Sequence, residues 1–318
     1  MHVGLAEMLH SLPWVHQEFG LDWNNLTISC LPAYYAVRVP GRNWVWTMTE
    51  GSELPDGWAH KLLVTRADRL IVPCEYNAIA FNNGMIEKGF EIPIHILPGG
   101  TDPAVFQRQE LNGRYDSEHK YTFLSLGDRG PRKGWTEVWQ AFFKAFGTPD
   151  ETPDVRLIIK SRPQVNAMLD MISQGDGLDP RITIQQEDLD EMSDAYEAAD
   201  CIAMPSRSEG WGLPHRDAAM MGKPVITQQY GGLDDGHTAE WSMPISGGKL
   251  DRIPSEAPHI KGEWMKAPIN VLADKMRWCY DNPNEAAEFG QNASRWLEEH
   301  QTWDHAALAL IDLIEEYS

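Results

Sequence analysis

The sequence predicts an α/β protein with two Rossmann-type domains, each built on a parallel sheet. Short apolar runs alternate with amphipathic segments from residue 26 onward, and a polar stretch rich in Gly and Pro at 97–120 divides this alternation in two. Strands that alternate with helices form parallel sheets with helices on both faces. A chain of 318 residues is long enough for two separate cores.

The apolar runs are the predicted strands. They are LTISCL (26–31), NWVWTM (43–48), RLIVP (69–73), IHIL (94–97), YTFLSLG (121–127), VRLIIK (155–160), RITIQ (181–185), CIAMP (201–205) and KPVIT (223–227). The clearest helix is 135–146, whose apolar residues recur at i, i+3, i+4 and i+7. A last helix is expected from Asp304 to Tyr317, and 245–268 is expected to form surface loops.

Composition excludes several classes of protein. The formal charge is −20, from 27 basic and 47 acidic residues, so the surface repels phosphate backbones and nucleic acid is not expected as a main partner. The 4 cysteines are scattered, without metal-ligand spacing or a disulfide framework, which indicates a reducing cytoplasm. No signal-peptide pattern and no apolar run of transmembrane length is found. The oligomeric state is left open.

The stretch PSRSEGWGLPHRDAAMMGKPVI (205–226) carries the residues with the clearest chemistry. It follows a predicted strand, and ligands of open parallel sheets bind beyond the carboxyl ends of the strands. Pro214 suits the first turn of a helix that ends near Gly222, which places Glu209 in the loop and Asp217 in the first helical turn. Carboxylates accept hydrogen bonds from hydroxyls, and main-chain N–H groups at a helix start suit a diphosphate. The spacing alone also fits a solvated Glu209 and an Asp217 that only favours the helix dipole.

The same stretch resembles the signature of the family-4 retaining glycosyltransferases, approximately P-S-x-x-E-G-F-G-L-P-x-x-E-A-M-A-x-G-x-P-V-I. The matching positions are Pro205, Ser206, Glu209, Gly210, Gly212, Leu213, Pro214, Ala218, Gly222, Pro224, Val225 and Ile226. Trp211 replaces the usual Phe, and Asp217 replaces the second Glu. The resemblance implies that Glu209 contacts the hydroxyls of a donor sugar and that Asp217 binds the ribose of its nucleotide.

A second stretch, FLSLGDRGPRKGWTEVWQAF (123–142), is similar to the family's strand, loop and Lys-Gly at a helix start. The resemblance implies that Lys133 and an arginine of the loop, Arg129 or alternatively Arg132, hold the donor diphosphate. Positive charge there stabilises the departing diphosphate. The alternative interpretation is a basic turn on the surface without a ligand. The other donor-binding positions that we expect are Gly127, Lys160, Ser208, Gly210, Trp211, Gly212 and Leu213.

The resemblance extends over roughly residues 26–318. Further matching segments are 67–81, 92–106, 189–206 and 302–314. It implies a GT-B-like fold, in which two Rossmann-type domains with parallel sheets face each other across a cleft. The N-terminal domain would span 1–106, the nucleotide-sugar domain 107–300, and a helix at 301–318 would pack back on the N-terminal domain. The family's first strand and Gly-rich loop are not found before residue 26, so we expect a shortened N-terminal domain.

The activity implied is a metal-independent, retaining transfer of a hexose from a nucleoside-diphosphate sugar to an acceptor hydroxyl. The acceptor would be a carbohydrate, a lipid-linked molecule or a small molecule, and no cofactor is expected beyond the donor substrate. One alternative is a non-catalytic nucleotide-sugar-binding protein or partner subunit with a degenerate N-terminal domain. A second alternative is a GT-B sugar-nucleotide epimerase.

Other polar residues of the sequence are further candidates for a site. The D-x-D formed by Asp188 and Asp190 has the form of a metal-binding motif, but it precedes a helix and N-capping explains it better. His215 and Arg216 are expected on the surface. The residues of the N-terminal domain expected to face the cleft are His10, His16, Glu50 and Glu53.

Overall fold

A computed structural model describes residues 26–38, 41–109, 119–126, 131–161, 179–187, 189, 191–255 and 259–317. The nine strands expected from the sequence are all present, and their observed ends lie within two residues of the predicted ones. The helix expected at 135–146 is also present with those bounds, and the last helix spans Trp303–Glu316. The α/β prediction is confirmed.

The first sheet has four parallel strands in chain order. They are β1 (Leu26–Cys30), β2 (Arg42–Trp46), β3 (Arg69–Val72) and β4 (Ile94–Ile96). Helix α1 (Trp58–Thr65) connects β2 to β3, and α2 (Glu75–Ile86) connects β3 to β4. The helices cover one face of the sheet, where Val45, Leu62 and Phe81 are fully buried.

The second sheet has six parallel strands in the order β7-β6-β5-β8-β9-β10. They are β5 (Tyr121–Leu126), β6 (Val155–Lys160), β7 (Ile182–Gln185), β8 (Cys201–Met204), β9 (Val225–Gln228) and β10 (Met243–Ile245). This is the 3-2-1-4-5-6 order of the Rossmann fold, in which the direction of winding reverses between the first and fourth strands. The switch point therefore lies between β5 and β8.

Helices cover both faces of the second sheet. They are α3 (Trp135–Phe146), α4 (Met192–Glu197), α5 (Leu213–Met220), α6 (Thr238–Trp241), α7 (Ile269–Asp281) and α8 (Pro283–His300). On one face α3 packs with α7, and the buried rings of Phe123, Phe142 and Phe146 lie between them and the sheet. Each such ring contributes about 2–3 kcal/mol by burial. On the other face α5 packs with α8.

The last helix, α9 (Trp303–Glu316), returns to the first sheet. Its apolar face, with Leu310 and Ile314, packs against Trp44 and Ile71 in one buried cluster. Thr302 begins the helix as an N-cap in a capping box with His305. The helix thus packs on the first sheet although it follows the second domain in the chain. No helix in the described ranges is long and apolar enough to cross a membrane.

The prediction of irregular loops at 245–268 is wrong in part. An antiparallel hairpin forms there from β11 (Lys249–Arg252) and β12 (Glu263–Lys266). The hairpin touches the first domain, because the Glu263 N–H donates to Ser52 Oγ at 2.8 Å. Its strands are rich in charge and lack the apolar alternation of a half-buried strand, so the pattern did not predict them.

Candidate functional site

The two motifs identified in the sequence meet at the switch point of the second sheet. A 3-10 turn, Pro131–Lys133, follows β5, and the loop 205–212 follows β8. Gly134 allows their close approach, since its φ is 70° and a Cβ atom there would lie 2.2 Å from the Pro205 carbonyl oxygen. Ligands of open α/β sheets bind at this position.

Glu209 is buried between two cations. The Lys133 Nζ donates to Glu209 Oε1 at 2.6 Å, and the Arg132 Nη1 donates to Oε2 at 2.9 Å. Burial on its own would raise the pKa of Glu209, but the charges of Lys133 and Arg132 outweigh it and hold the pKa well below its ordinary value. The carboxylate is therefore charged at neutral pH and suits the role of a hydrogen-bond acceptor.

Arg132 also reaches across the cleft, where its Nη1 lies 3.0 Å from Glu50 Oε1. The structure thus brings Arg132 to the site, whereas Arg129 and Gly127 lie outside the described residues and remain predictions. Lys160 is buried at the end of β6, and its Nζ donates to the main-chain carbonyls of Ser161 and Glu187. Its predicted donor contact also remains a prediction.

The main chain of the loop after β8 presents a row of hydrogen-bond donors. Its carbonyls are each bound by a donor: Arg207 O by Met265 N, Ser208 O by Arg132, Glu209 O by Gly232 N, Gly210 O by Asn77 and Trp211 O by Arg216. No cis peptide occurs among the described residues. In each trans peptide the N–H points in the direction opposite to the carbonyl, so each N–H of 208–212 points away from the donor that binds the preceding carbonyl. These N–H groups donate to no protein atom in the described ranges, although their residues are buried. Since buried N–H groups are nearly always paired, the row suits an anion.

Side-chain atoms without partners surround the same edge of the sheet. Within the described part of the chain, the buried atoms without a hydrogen bond include Ser125 Oγ, Ser161 Oγ, Ser206 Oγ, His215 Nδ1 and Gln228 Oε1. The serines and the glutamine lie at the carboxyl ends of β5, β6, β8 and β9. Each such group costs roughly 1–3 kcal/mol unless a ligand or water satisfies it. This edge is therefore suited to a polar ligand.

Asp217 lies in the second turn of α5, because the helix begins at Leu213; the expectation of the first turn is wrong. Its Oδ1 accepts a hydrogen bond from Thr101 Oγ1 at 2.7 Å. Burial raises the pKa of Asp217 to about 7, although Thr101 and Arg216 oppose the rise. Thr101 pairs with Thr302, so Asp217 lies where the two segments that join the domains run side by side. Its predicted contact with a ribose remains a prediction.

The first domain contacts the loop directly. The Asn77 Nδ2 donates to Gly210 O at 2.7 Å, and the Asn77 Oδ1 accepts from the Thr49 N–H. The Tyr76 hydroxyl lies 3.3 Å from Ser208 Oγ. Tyr76 and Asn77 are not among the site residues predicted from the sequence. Their position directly after β3, at the carboxyl end of a strand, is the signal that would have found them.

His215 and Arg216 are not on the surface, and that prediction is wrong. Both are fully buried, because α5 packs between the sheet and α8. The His215 Nε2 lies 2.9 Å from Met204 O, which requires the proton on Nε2 and leaves Nδ1 as an acceptor. Burial lowers the pKa of His215 to about 4, so the ring is neutral at pH 7.

The remaining candidates of the sequence analysis lie at the edge of the site or outside the described residues. Glu53 forms an exposed ion pair with Arg252 of the hairpin at 2.5 Å. No group of three or more side chains that could hold a metal ion occurs in the described ranges. The candidates that fall outside these ranges are His10, His16, Asp188 and Asp190.

Comparisons with known proteins agree with the position of this site. Residues 107–238, which include both motifs, match the family described as Glycosyl transferases group 1. A D-inositol 3-phosphate glycosyltransferase of Gordonia bronchialis is 32% identical over 120 residues, which is 38% of this chain and 22% of that protein. The protein of the same name from Mycolicibacterium smegmatis is 29% identical over 229 residues, which is 63% of this chain and 49% of the relative. The chain spans about half or less of these relatives.

Solved structures are similar over most of this chain. Sucrose-phosphate synthase from Thermosynechococcus elongatus has a TM-score of 0.68 at 17% identity, covering 98% of this chain and 78% of the other. Anabaena Alr3699/HepE, solved with UDP and glucose, has a TM-score of 0.64 at 14% identity, covering 87% and 72%. The chain therefore has the GT-B fold, and its residues 107–238 match the group 1 glycosyl transferases.

Proposed function

We propose that the protein is a metal-independent retaining glycosyltransferase that moves a hexose from a nucleoside-diphosphate sugar to an acceptor hydroxyl. The observation that carries this proposal is the row of N–H groups of 208–212 beside Lys133 and Arg132 at the switch point. These main-chain donors and the two cations lie at the carboxyl ends of neighbouring strands, a position that suits an anion.

The anion would be the donor diphosphate. Lys133 and Arg132 both contact Glu209, and Arg132 also contacts Glu50 of the first domain. The phosphates would be met by these two cations together with the unpaired N–H groups of 208–212. Charge develops on the diphosphate as the bond to the sugar breaks, and fixed donors stabilise it without reorganising at that moment. This arrangement supplies for the leaving group what a divalent cation supplies in other glycosyltransferases.

Glu209 would orient the sugar. A carboxylate whose pKa is held low by two cations is weakly basic, so it suits a hydrogen-bond acceptor better than a general base. It can accept hydrogen bonds from sugar hydroxyls. Retention would then follow from attack of the acceptor on the same face from which the diphosphate departs, and Asp217 would hold the ribose.

The two alternatives predict different chemistry at the same site. A non-catalytic binding protein would hold the donor and turn nothing over. An epimerase would release the nucleoside diphosphate without an acceptor. The relatives are named as glycosyltransferases, and the match includes both motifs, which favours transfer.

The comparisons suggest the first substrates to test. The Anabaena structure holds UDP and glucose, so UDP-glucose is the first donor, followed by GDP- and ADP-sugars. The relatives are named for D-inositol 3-phosphate, which is the first acceptor. Simple sugars and lipid-linked acceptors complete the panel.

The test uses calorimetry with the donor panel and transfer of a radiolabelled sugar. Lys133→Ala is expected to lower kcat by roughly 100-fold, as loss of one donor to a developing oxyanion does, and Glu209→Ala is expected to abolish transfer. Lys144→Ala, an exposed lysine on α3, is the control. Unchanged turnover in both site variants contradicts the proposal, as does donor binding without turnover for every acceptor.

A further inference from the structure

We infer that Arg216 is a positioning residue that, from inside the core, fixes the Gly212 N–H toward the donor diphosphate. The inference rests on the proposed function and extends it to a residue that cannot touch the donor itself. Arg216 is fully buried, and its side chain makes all of its contacts on the inner side of the loop.

Each of the three nitrogens of the Arg216 guanidinium has a hydrogen-bond partner. Its Nη2 donates to Asp235 Oδ2 at 2.5 Å, its Nε donates to Gln301 Oε1 at 3.0 Å, and its Nη1 donates to the Trp211 carbonyl. The Asp235 side chain is itself only 5% exposed. These bonds fix both the position of the guanidinium and the direction of its fork.

Two indole rings hold the guanidinium plane. Its central carbon lies 3.6 Å from the centroid of the Trp211 ring and 4.4 Å from that of Trp241. A buried ion pair is weak support for stability, since apolar residues of similar volume often replace one without loss. Stability alone therefore does not explain the buried Arg216–Asp235 pair, whereas a role in orienting the Trp211 carbonyl does.

That bond sets the direction of the next N–H group. The Trp211 carbonyl and the Gly212 N–H belong to one trans peptide, so a carbonyl turned inward turns the N–H outward. Gly212 has a φ of 82°, and as a glycine it would tolerate other orientations of this peptide. Without Arg216 nothing else among the described residues bonds to the Trp211 carbonyl, and the peptide plane could rotate.

The test compares phosphate recognition with nucleoside recognition in the full chain. The double variant R216M/D235L replaces the buried pair by apolar side chains and is expected to melt below the wild type, because the Trp211 carbonyl and the Gln301 amide lose their partners. Its affinity for the nucleoside diphosphate that the wild type binds best, among UDP, GDP and ADP, should fall about tenfold, the value of one hydrogen bond to a charged group. Its affinity for the matching nucleoside, measured by ligand-observed NMR, should not change.

Leu297→Ala is the matched control, because Leu297 is fully buried in the cluster that contains Trp241 but is not a partner of Arg216. It should lower the melting temperature and leave the ratio of the two affinities unchanged. If R216M/D235L does not fold, R216K tests the same point, since a lysine cannot bridge Asp235 and the Trp211 carbonyl. A folded variant that keeps the wild-type ratio overturns the inference. A wild type that binds no nucleoside diphosphate overturns the proposed function instead.

Discussion

Replacing Glu209 by glutamine removes one negative charge from between two cations and keeps the shape of the side chain. The Glu209, Arg132 and Lys133 side chains are 5%, 13% and 15% exposed. Breaking a buried ion pair by removing one partner costs about 3–5 kcal/mol. Arg132 keeps Glu50 at 3.0 Å, and the glutamine amide oxygen still accepts one bond, so we expect a loss of about 2–3 kcal/mol at pH 7.

Thermal melting measures this loss. For a folding unit of 150–250 residues, it corresponds to a decrease of roughly 5–10 °C in Tm. The decrease should depend on pH. The folded-state pKa of Glu209 lies below its ordinary value of 4.5, so its contribution is fully present above that value and is lost as the pH falls toward the folded-state pKa. The variant and the wild type should therefore converge in acid.

Asp281→Asn is the control for a pair of the same kind at the surface. Arg277 and Asp281 lie 2.7 Å apart with both side chains 44% exposed, and exposed pairs contribute about 0–1 kcal/mol. That variant should melt close to the wild type at every pH. If Glu209→Gln also melts within about 1 °C of the wild type at pH 7, the buried Glu209 carboxylate does not stabilise the fold through Lys133 and Arg132. That result would contradict the expected loss.

Two further predictions concern the backbone and the second carboxyl group. Gly134→Ala should destabilise by about 3 kcal/mol or more in urea unfolding, because the added Cβ meets Pro205 O at 2.2 Å. Gly89→Ala, at a φ of 77° with nothing within 4 Å, should cost only about 1–2 kcal/mol, and equal losses would contradict the steric argument. Asp217→Asn should raise Tm at pH 8 but not at pH 4, since wild-type stability falls as pH rises from 3.8 to about 7. A difference of equal size at both pH values would contradict a raised pKa.

Local pattern predicted nine of the ten parallel strands in the described residues, because each of the nine is a short apolar run bounded by polar or Gly/Pro residues. The three-residue strand β10 (Met243–Ile245) was not predicted. VRLIIK and CIAMP need no distant information to be recognised as buried strands. The hairpin of β11 and β12 differs, since its strands are rich in charge and lack apolar alternation. It contacts distant parts of the chain at Ser52 and Arg207, and no local pattern contains those contacts.

The candidate site, like the fold, contains residues that a local pattern predicts and residues that it does not. Glu209, Lys133 and Asp217 were predicted as site residues because each belongs to a contiguous motif. Asn77 was missed because it meets Gly210 from 133 residues away. Arg216 was placed on the surface because it occupies a variable position of the family signature. Its buried partner Asp235 lies beyond the motif, so the motif gave no sign of the ion pair.

The loop is anchored from two different domains, which links its geometry to the cleft. Asn77 of the first domain binds the Gly210 carbonyl, whereas Arg216 of the second domain binds the Trp211 carbonyl. Separation of the domains would release the first anchor and leave the second in place. The Gly212 N–H is therefore oriented whether the cleft is open or closed, while the Trp211 N–H is fixed by Asn77 only when it is closed. A ligand that bonds to both N–H groups binds the closed arrangement more tightly and shifts the equilibrium toward it.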